Sequence, residues 1–237
     1  TELVKKAADY NMPALALTDH GNMYAAFLFW QAIDKQNKSI KQHNESIEKG
    51  DKIAEKKREI KALIGCEFNV CRDHKDKSRQ DNGYAIPILA KNKKGYENIS
   101  KLSSEAFLHG MYYVPRIDKE LLKQYADGLI CFTGSLNGEI PNLILNAGEE
   151  KAEEALIWYK EIFGEDFFIE LNRHGLPEED HVNAVLLSLA KKHSIKYFAA
   201  NNNYYLEKKS AYSRDILIGV KEGLTFSTEQ ELKELKN

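Results

Sequence analysis

Cysteine is scarce in this sequence, and long apolar runs are missing from it. Only three cysteines occur among 237 residues, Cys66, Cys71 and Cys131. An odd number this small argues against a disulfide framework, so we expect reduced thiols in a cytoplasmic protein. No run of about 18 apolar residues is present to predict a membrane span. The formal net charge is −2, so the chain lacks an overall basic field that would attract nucleic acid.

Common catalytic signatures are also missing. The sequence contains no HExxH, CxxC, GxGxxG or GxxxxGKS motif, each of which would point to a metal, redox or nucleotide site. A Ser-His-Asp triad could include Ser135, but no GxSxG elbow supports it. Any chemistry must therefore come from single polar residues placed by the fold.

What the sequence does contain is a regular alternation of strand and helix patterns. Six nearly continuous apolar runs predict strands buried on both faces. The runs are Pro13–His20, Ala62–Val70, Tyr84–Asn92, Gly128–Ser135, Phe167–His174 and Lys196–Asn203. Amphipathic helix patterns lie between them, for example Val182, Val185, Leu186 and Leu189. The alternation predicts an α/β fold with a parallel sheet, either open or closed into a barrel.

Polar residues follow the predicted strands. They are Asp19, His20, Glu67, Asn92, Ser135, Asn172, Arg173, His174 and Asn201–Asn203. Because the carboxyl ends of parallel strands meet at one edge, we expect these residues to form one rim. His20 and Glu67 are plausible ligands for zinc or manganese, and His174 is the other histidine at a strand end. Two ligands are too few for a catalytic metal, and a histidine at a strand end is more often a structural hydrogen-bonding group.

The segment Asp34–Lys61 interrupts this alternation. It is highly charged and locally basic, and it predicts a solvated helical insertion at about residues 35–61, broken near Gly50. A surface insertion is the simpler interpretation. A contact with nucleic acid or a partner subunit is the alternative, although the segment lacks the interleaved aromatics that bind single strands.

Both ends of the sequence suggest a piece of a longer protein. The chain starts at Thr1 inside a helix-like pattern, and it ends in the charged stretch STEQELKELKN. We therefore expect that further sequence flanks it.

Several stretches, in order, resemble a known family. MPALALTDHGNMYAAFLFW, IGCEFNV, LAKNKKGYENISKLSS and GLICFTGSLNGEIP are similar to the PHP (polymerase and histidinol phosphatase) domain of bacterial replicative DNA polymerase III alpha subunits. The resemblance implies a distorted TIM-like (β/α)7 barrel, with residues 1–237 forming a single domain. The family's first strand, which carries an HxH pair, would lie before Thr1, so we expect a barrel truncated at its N-terminal strand.

The resemblance also assigns metal-ligand positions. His20 and Glu67 keep the family's ligand types. Four positions do not, and they are Ala85, Ser135, Asn202 and Tyr204. Alanine offers no donor atom, and serine and tyrosine are neutral at pH 7. The resemblance therefore implies that the metal cluster of the family has been lost.

Three functions follow from the resemblance as alternatives. The first is a metal-free structural and docking module, which contacts the rest of the alpha subunit, a proofreading exonuclease subunit and other replisome subunits. In that case this chain has no activity of its own and needs no cofactor. DNA binding, Mg²⁺ and nucleotidyl transfer then belong to the parent polymerase. The second is a 3′–5′ exonuclease or phosphoesterase that uses zinc or manganese with His20, Glu67 and His174 as catalytic candidates. The third is a small-molecule phosphatase of the histidinol-phosphate type, or an unrelated barrel.

Overall fold

The computed structural model describes residues 2–50 and 54–223. The chain divides into two compact units, Thr1–Ala200 and Asn201–Asn237. The described part of the second unit contains a 3₁₀ turn at Lys208–Ser210 and an α-helix at Ala211–Glu222. The expected single domain over residues 1–237 stays a prediction. Residues 51–53 of the charged segment and the charged end at 227–237 lie outside the described ranges.

The first unit contains seven helices and seven strands in its described part. The strands are β1 Ala14–His20, β2 Lys61–Cys71, β3 Tyr84–Ala90, β4 Arg116–Asp118, β5 Leu129–Phe132, β6 Phe167–Asn172 and β7 Lys196–Ala200. The helices are α1 Glu2–Asp9, α2 Ala26–Glu48, α3 Lys93–Leu108, α4 Lys119–Gln124, α5 Glu139–Asn146, α6 Glu149–Phe163 and α7 Pro177–His193. Strand β4 is the one strand that the apolar runs did not predict, because it has only three residues.

The strands form one mixed sheet in the order β1-β2-β3-β5-β6-β7, and β4 pairs with β2 beyond the end of β1. With its flanking helices this sheet is half of a barrel, which confirms the α/β class and a distorted, partial TIM-like barrel. The expectation of a parallel sheet was wrong for β3, which runs antiparallel to both β2 and β5. A parallel neighbour needs a long crossover, and no helix separates β2 from β3.

The reversed direction of β3 changes one member of the predicted rim. Asn92 follows β3 and therefore lies at the opposite edge of the sheet from the carboxyl ends of β1, β5 and β6. Its side chain accepts a hydrogen bond from the backbone N–H of Gly95 at 3.0 Å and caps α3. Asn92 is thus a helix cap, because the strand before it runs the other way.

The main core lies between the sheet and helices α3, α5, α6 and α7. The predicted apolar face of α7 is buried there, as are the residues of α6 that repeat with the same spacing. A second, smaller core lies where α1 and α2 pack near Ile60 and the partly buried Leu15 and Leu17. None of the helices in the described ranges is both long and apolar enough to cross a membrane.

The charged segment is only half helical. Helix α2 begins at Ala26 and continues to Glu48, and Gly50 follows with a positive φ of 79°. Residues 54–60 are not helical but irregular, contrary to the predicted helical insertion. The physical reason is a pair of asparagines on α2. The side chain of Asn37 forms hydrogen bonds with both the backbone N–H and the C=O of Ile60. The side chain of Asn44 forms the same two hydrogen bonds with Lys57, and all four are 2.8–2.9 Å long.

Candidate functional site at the strand ends

The centre of the candidate site is the pair His20 and Glu67. The parallel register of β1 and β2 sets these two residues opposite each other. His20 Nδ1 lies 2.8 Å from Glu67 Oε1, with the imidazole 64% and the carboxylate 15% exposed. Gly21 follows with a φ of 67°, and its N–H donates to the Glu67 carbonyl at 2.8 Å. A Cβ on Gly21 would lie 2.7 Å from Cγ of Pro115, so this turn needs glycine.

Asp19, the neighbour of His20, has a structural contact. Its Oδ2 accepts a hydrogen bond from the N–H of Ala25 at 3.1 Å, just before α2 begins. A carboxylate at a helix N-terminus satisfies a free N–H and favours the helix dipole. Asp19 therefore orders the connection from β1 to α2.

Glu170 is a site residue that the sequence reasoning missed. It lies on β6, and its backbone N–H donates to Thr133 Oγ1 at 2.9 Å. The pKa of the Glu170 carboxyl is raised overall, mainly by burial and also by the charge of Glu67. The hydrogen bond from Asn172 and the charge of His174 lower this pKa, but by less. Glu170 is thus within electrostatic reach of both Glu67 and His174. The available signal was a lone carboxylate in the apolar run FFIELN, the same pattern that singled out Glu67.

His174 is held by α7. Its Nδ1 lies 2.6 Å from Glu179 Oε1, and its backbone N–H donates to Oε2 of the same carboxylate at 2.5 Å. Burial by itself would raise the pKa of Glu179, but the bonds from His174 outweigh burial and lower it. His174 is therefore tied to a structural partner at the start of α7 and does not pair with His20 or Glu67.

Ser135 and Asn172 line a small cavity of about 10 Å³ together with Glu170 and Asn183. Asn172 Nδ2 donates to Glu170 Oε1 at 3.1 Å. Its Oδ1 is, within the described ranges, the one buried side-chain oxygen or nitrogen without a hydrogen-bond partner. The space is close to the minimum that holds one water. The structure thus groups Ser135 with a carboxyl and two amides.

The other replaced family positions fall in two places. Ala85 lies on β3 next to the loop that contains Gly134 and Ser135. The two segments are so close that a Cβ on Gly134 would lie 2.7 Å from the Ala85 carbonyl oxygen. Asn202 and Tyr204 belong to the second unit, where Asn202 Nδ2 donates to Tyr204 Oη at 2.9 Å. The guanidinium of Arg214 lies 4.4 Å from the centre of the Tyr204 ring.

The described strand-end residues do not by themselves provide the ligands for the metal cluster of the family. Throughout the described part of the chain, one group of three His, Cys, Asp or Glu side chains could hold an ion, and it is Asp73, His74 and Asp118. His20 and Glu67 are not in it. Among the described residues these two form a pair of ligands, whereas an ordinary catalytic zinc site has three protein ligands.

The partial barrel, with a histidine and a glutamate at its strand ends, is compatible with one known protein family. The model of the PHP domain family matches residues 1–174, and this chain belongs to that family.

Within the family, the chain is similar to proteins named DNA polymerase III subunit alpha. The relative from Borreliella burgdorferi is 35% identical over 237 residues, which cover 98% of this chain and 19% of the relative. The relative from Treponema pallidum is 38% identical over 221 residues, which cover 91% and 17%. The relative from Thermus aquaticus is 36% identical over 218 residues, which cover 90% and 16%. The chain is homologous to these subunits and spans less than a fifth of their length.

Proposed function

We propose that this chain is the PHP module of a bacterial DNA polymerase III alpha subunit and works in chromosome replication as a structural and docking domain whose strand-end site is metal-free. One observation carries the proposal. Of the six family ligand positions in the sequence, only His20 and Glu67 keep a ligand type, and these two contact each other. The bacterial cytoplasm is the compartment in which such a subunit acts.

The replaced positions explain why the metal is lost. Several divalent cations in one barrel mouth need anionic or imidazole ligands to offset their charge. Ala85 has no donor atom, Ser135 and Tyr204 have neutral hydroxyls at pH 7, and Asn202 has lost the carboxylate charge. Without the charges and donor atoms of these four positions, the site cannot offset several cations.

The surface at the start of α2 supports a docking role. Tyr24, Phe27, Leu28 and Trp30 are 79%, 63%, 67% and 48% exposed, and we call them the α2 aromatic face. The rings of Phe27 and Trp30 stack with centroids 6.2 Å apart. Exposed apolar groups of this kind mark protein interaction sites. The proofreading exonuclease subunit is the partner that we propose for this face. Other replisome subunits, DNA and Mg²⁺ are contacts of the whole alpha subunit.

Metal content and nuclease activity test the metal-free part of the proposal. The full-length product of the gene and its Glu67→Ala variant are dialysed against zinc, manganese and magnesium, and their bound metal is measured by elemental analysis. We expect equal metal content and equal hydrolysis of a 3′-mismatched primer. A loss of bound metal together with a loss of 3′–5′ hydrolysis in Glu67→Ala would refute the proposal and favour the exonuclease.

Binding to the purified exonuclease subunit tests the docking part. Phe27→Ser and Trp30→Ser should each weaken binding by about tenfold or more, since exposed aromatics dominate interface energies. Tyr10→Ser is the matched control, because Tyr10 is also 69% exposed but lies at the end of α1. Titration calorimetry gives the dissociation constants. Unchanged binding in both α2 variants would show that the partner docks elsewhere.

A further inference from the structure

Three side chains beyond the end of β2 form a second group of possible ligands. Asp73 and His74 lie in the connection from β2 to β3, and Asp118 is the last residue of β4. His74 Nδ1 contacts Asp118 Oδ2, and the His74 N–H lies 3.4 Å from the same oxygen. One ligand atom from each of the three residues lies within 4.8 Å of the other two.

This group is separate from the strand-end site. Asp118 pairs with Cys71 in the register of β2 and β4, while His20 pairs with Glu67 further back along β2. At about 3.3 Å per residue, the four residues from Glu67 to Cys71 correspond to about 13 Å along the strand. An ion at one group is therefore outside coordination distance of the other.

His74 and Asp118 already bring an imidazole nitrogen and a carboxylate oxygen together. Only 6% of His74 is exposed, and its Nδ1 faces Oδ2 of Asp118. An ion that binds both atoms would replace this contact, and imidazole and carboxylate are ligand types that zinc accepts.

The backbone that carries His74 is fixed by Arg116. This arginine is fully buried and donates to the carbonyl oxygens of His74, Asp76, Asp81 and Gly110 at 3.0–3.2 Å. Three of these four acceptors belong to the connection between β2 and β3. The His74 ring is thus held in place without an ion, and a preorganised ligand loses little entropy on binding.

We propose that Asp73, His74 and Asp118 form a binding site for a divalent transition-metal ion, with zinc as the best match. Zinc accepts one imidazole with carboxylate oxygens at about 2.0–2.2 Å and leaves a fourth position for water. In a tetrahedral site with these bond lengths, two ligand atoms are about 3.4 Å apart, a spacing that the three groups reach by small movements of their side chains. Mg²⁺ prefers oxygen ligands alone and fits less well. The bound ion would join the β2–β3 connection to β4.

The surroundings of the site limit its affinity. Arg72, Lys75 and Lys123 line the same open depression as the three ligands. Their positive charges offset part of the charge of the carboxylates, and the open position weakens binding further. We therefore expect a dissociation constant on the order of micromolar, well above that of closed structural zinc sites.

Titration calorimetry with zinc chloride on the full chain, stripped with a chelator, tests the proposal. The native chain should bind about one equivalent, and His74→Gln and Asp73→Asn should each bind about tenfold more weakly or worse. Asp73 is exposed, so its variant tests binding without disturbing the core. Asp76→Asn is the control on the same loop, and Glu67→Gln is the control at the strand-end site. Both should bind like the native chain, and circular dichroism verifies that each variant is folded.

Three outcomes would overturn this inference. The first is a native chain that takes up no zinc. The second is zinc uptake that neither His74→Gln nor Asp73→Asn changes. If only Glu67→Gln abolished that uptake, the result would also contradict the metal-free strand-end site. The third is an equal response to magnesium chloride, which would show a nonspecific group of carboxylates. The inference does not depend on the proposed function, because loss of the zinc site leaves the docking experiment unaffected.

Discussion

His20 and Glu67 face each other across β1 and β2, with Nδ1 of the imidazole 2.8 Å from Oε1 of the carboxylate. These are the two positions at which the resemblance to the family predicts retained ligand types. In a metal site both atoms would face an ion, whereas here each serves as the partner of the other. Under the proposed metal-free function, this contact gives each of the two side chains a partner in place of an ion.

The exposure of this pair predicts a small contribution to stability. Because His20 is mostly exposed, water and salt screen the interaction, and Glu67→Gln should lower the free energy of unfolding by less than about 1 kcal/mol. Urea denaturation followed by circular dichroism measures the change. Glu179→Gln is the comparison, since its buried carboxylate holds His174 and its loss should cost about 1–3 kcal/mol. A larger loss in Glu67→Gln than in Glu179→Gln would contradict this ranking.

Glu170 predicts a pH dependence of stability. Burial raises the pKa of this carboxyl above its ordinary value of 4.5, so the folded state keeps a proton that the unfolded chain has released. The stability contributed by Glu170 is therefore complete below pH 4.5 and is lost as the pH rises through the folded pKa. Glu170→Gln removes this loss, and its stability relative to the native chain should improve from acid to neutral pH.

Urea denaturation at a series of pH values measures this difference. Glu154→Gln, an exposed position on α6, is the control and should run parallel to the native chain. If the relative stability of Glu170→Gln fell toward neutral pH, the carboxylate would be stabilised by its neighbours, and the direction argued from burial would be wrong.

The sequence indicated much of the fold because buried strands and amphipathic helices leave clear patterns. Five of the six apolar runs each contain one of the observed strands, and the sixth, Ala62–Val70, lies within β2. The direction of β3 could not be read from its own residues, since a strand buried on both faces has the same composition in either direction. The fold of residues 54–60 depends on side-chain bonds from Asn37 and Asn44, and those contacts are between residues distant in sequence.

The candidate site was predicted in part. His20 and Glu67 stood out because polar residues at the end of an apolar run are unusual, and the structure brings them together. Glu170 carried the same signal but was missed, and His174 was placed in the site although Glu179 binds it. The group around His74 could not be anticipated, because Asp118 joins it through β4, a strand too short for periodicity to reveal.

Arg116 predicts a large loss of stability on substitution. Arg116→Met would leave two buried and two partly buried carbonyl oxygens without this donor, and each unsatisfied buried group costs about 1–3 kcal/mol. We expect the free energy of unfolding to fall by at least about 3 kcal/mol. Arg72→Met, at an exposed position on the same connection, should change it by less than about 0.5 kcal/mol. Urea denaturation compares the two, and similar losses would show that the Arg116 hydrogen bonds have little net value.

The buried hydrogen bond between Tyr159 and Glu139 should contribute measurably to the free energy of unfolding. Its Oη donates to Glu139 Oε2 at 2.8 Å, and Lys119 Nζ lies 2.6 Å from the other oxygen of this carboxylate. Tyr159→Phe keeps the ring in the core but removes the donor, so the free energy of unfolding should fall by about 1.5–3 kcal/mol. Tyr96→Phe, at a 43% exposed position, is the matched control. The two midpoints in urea provide the comparison, and a Tyr159→Phe midpoint equal to that of Tyr96→Phe would mean that Lys119 alone satisfies the carboxylate.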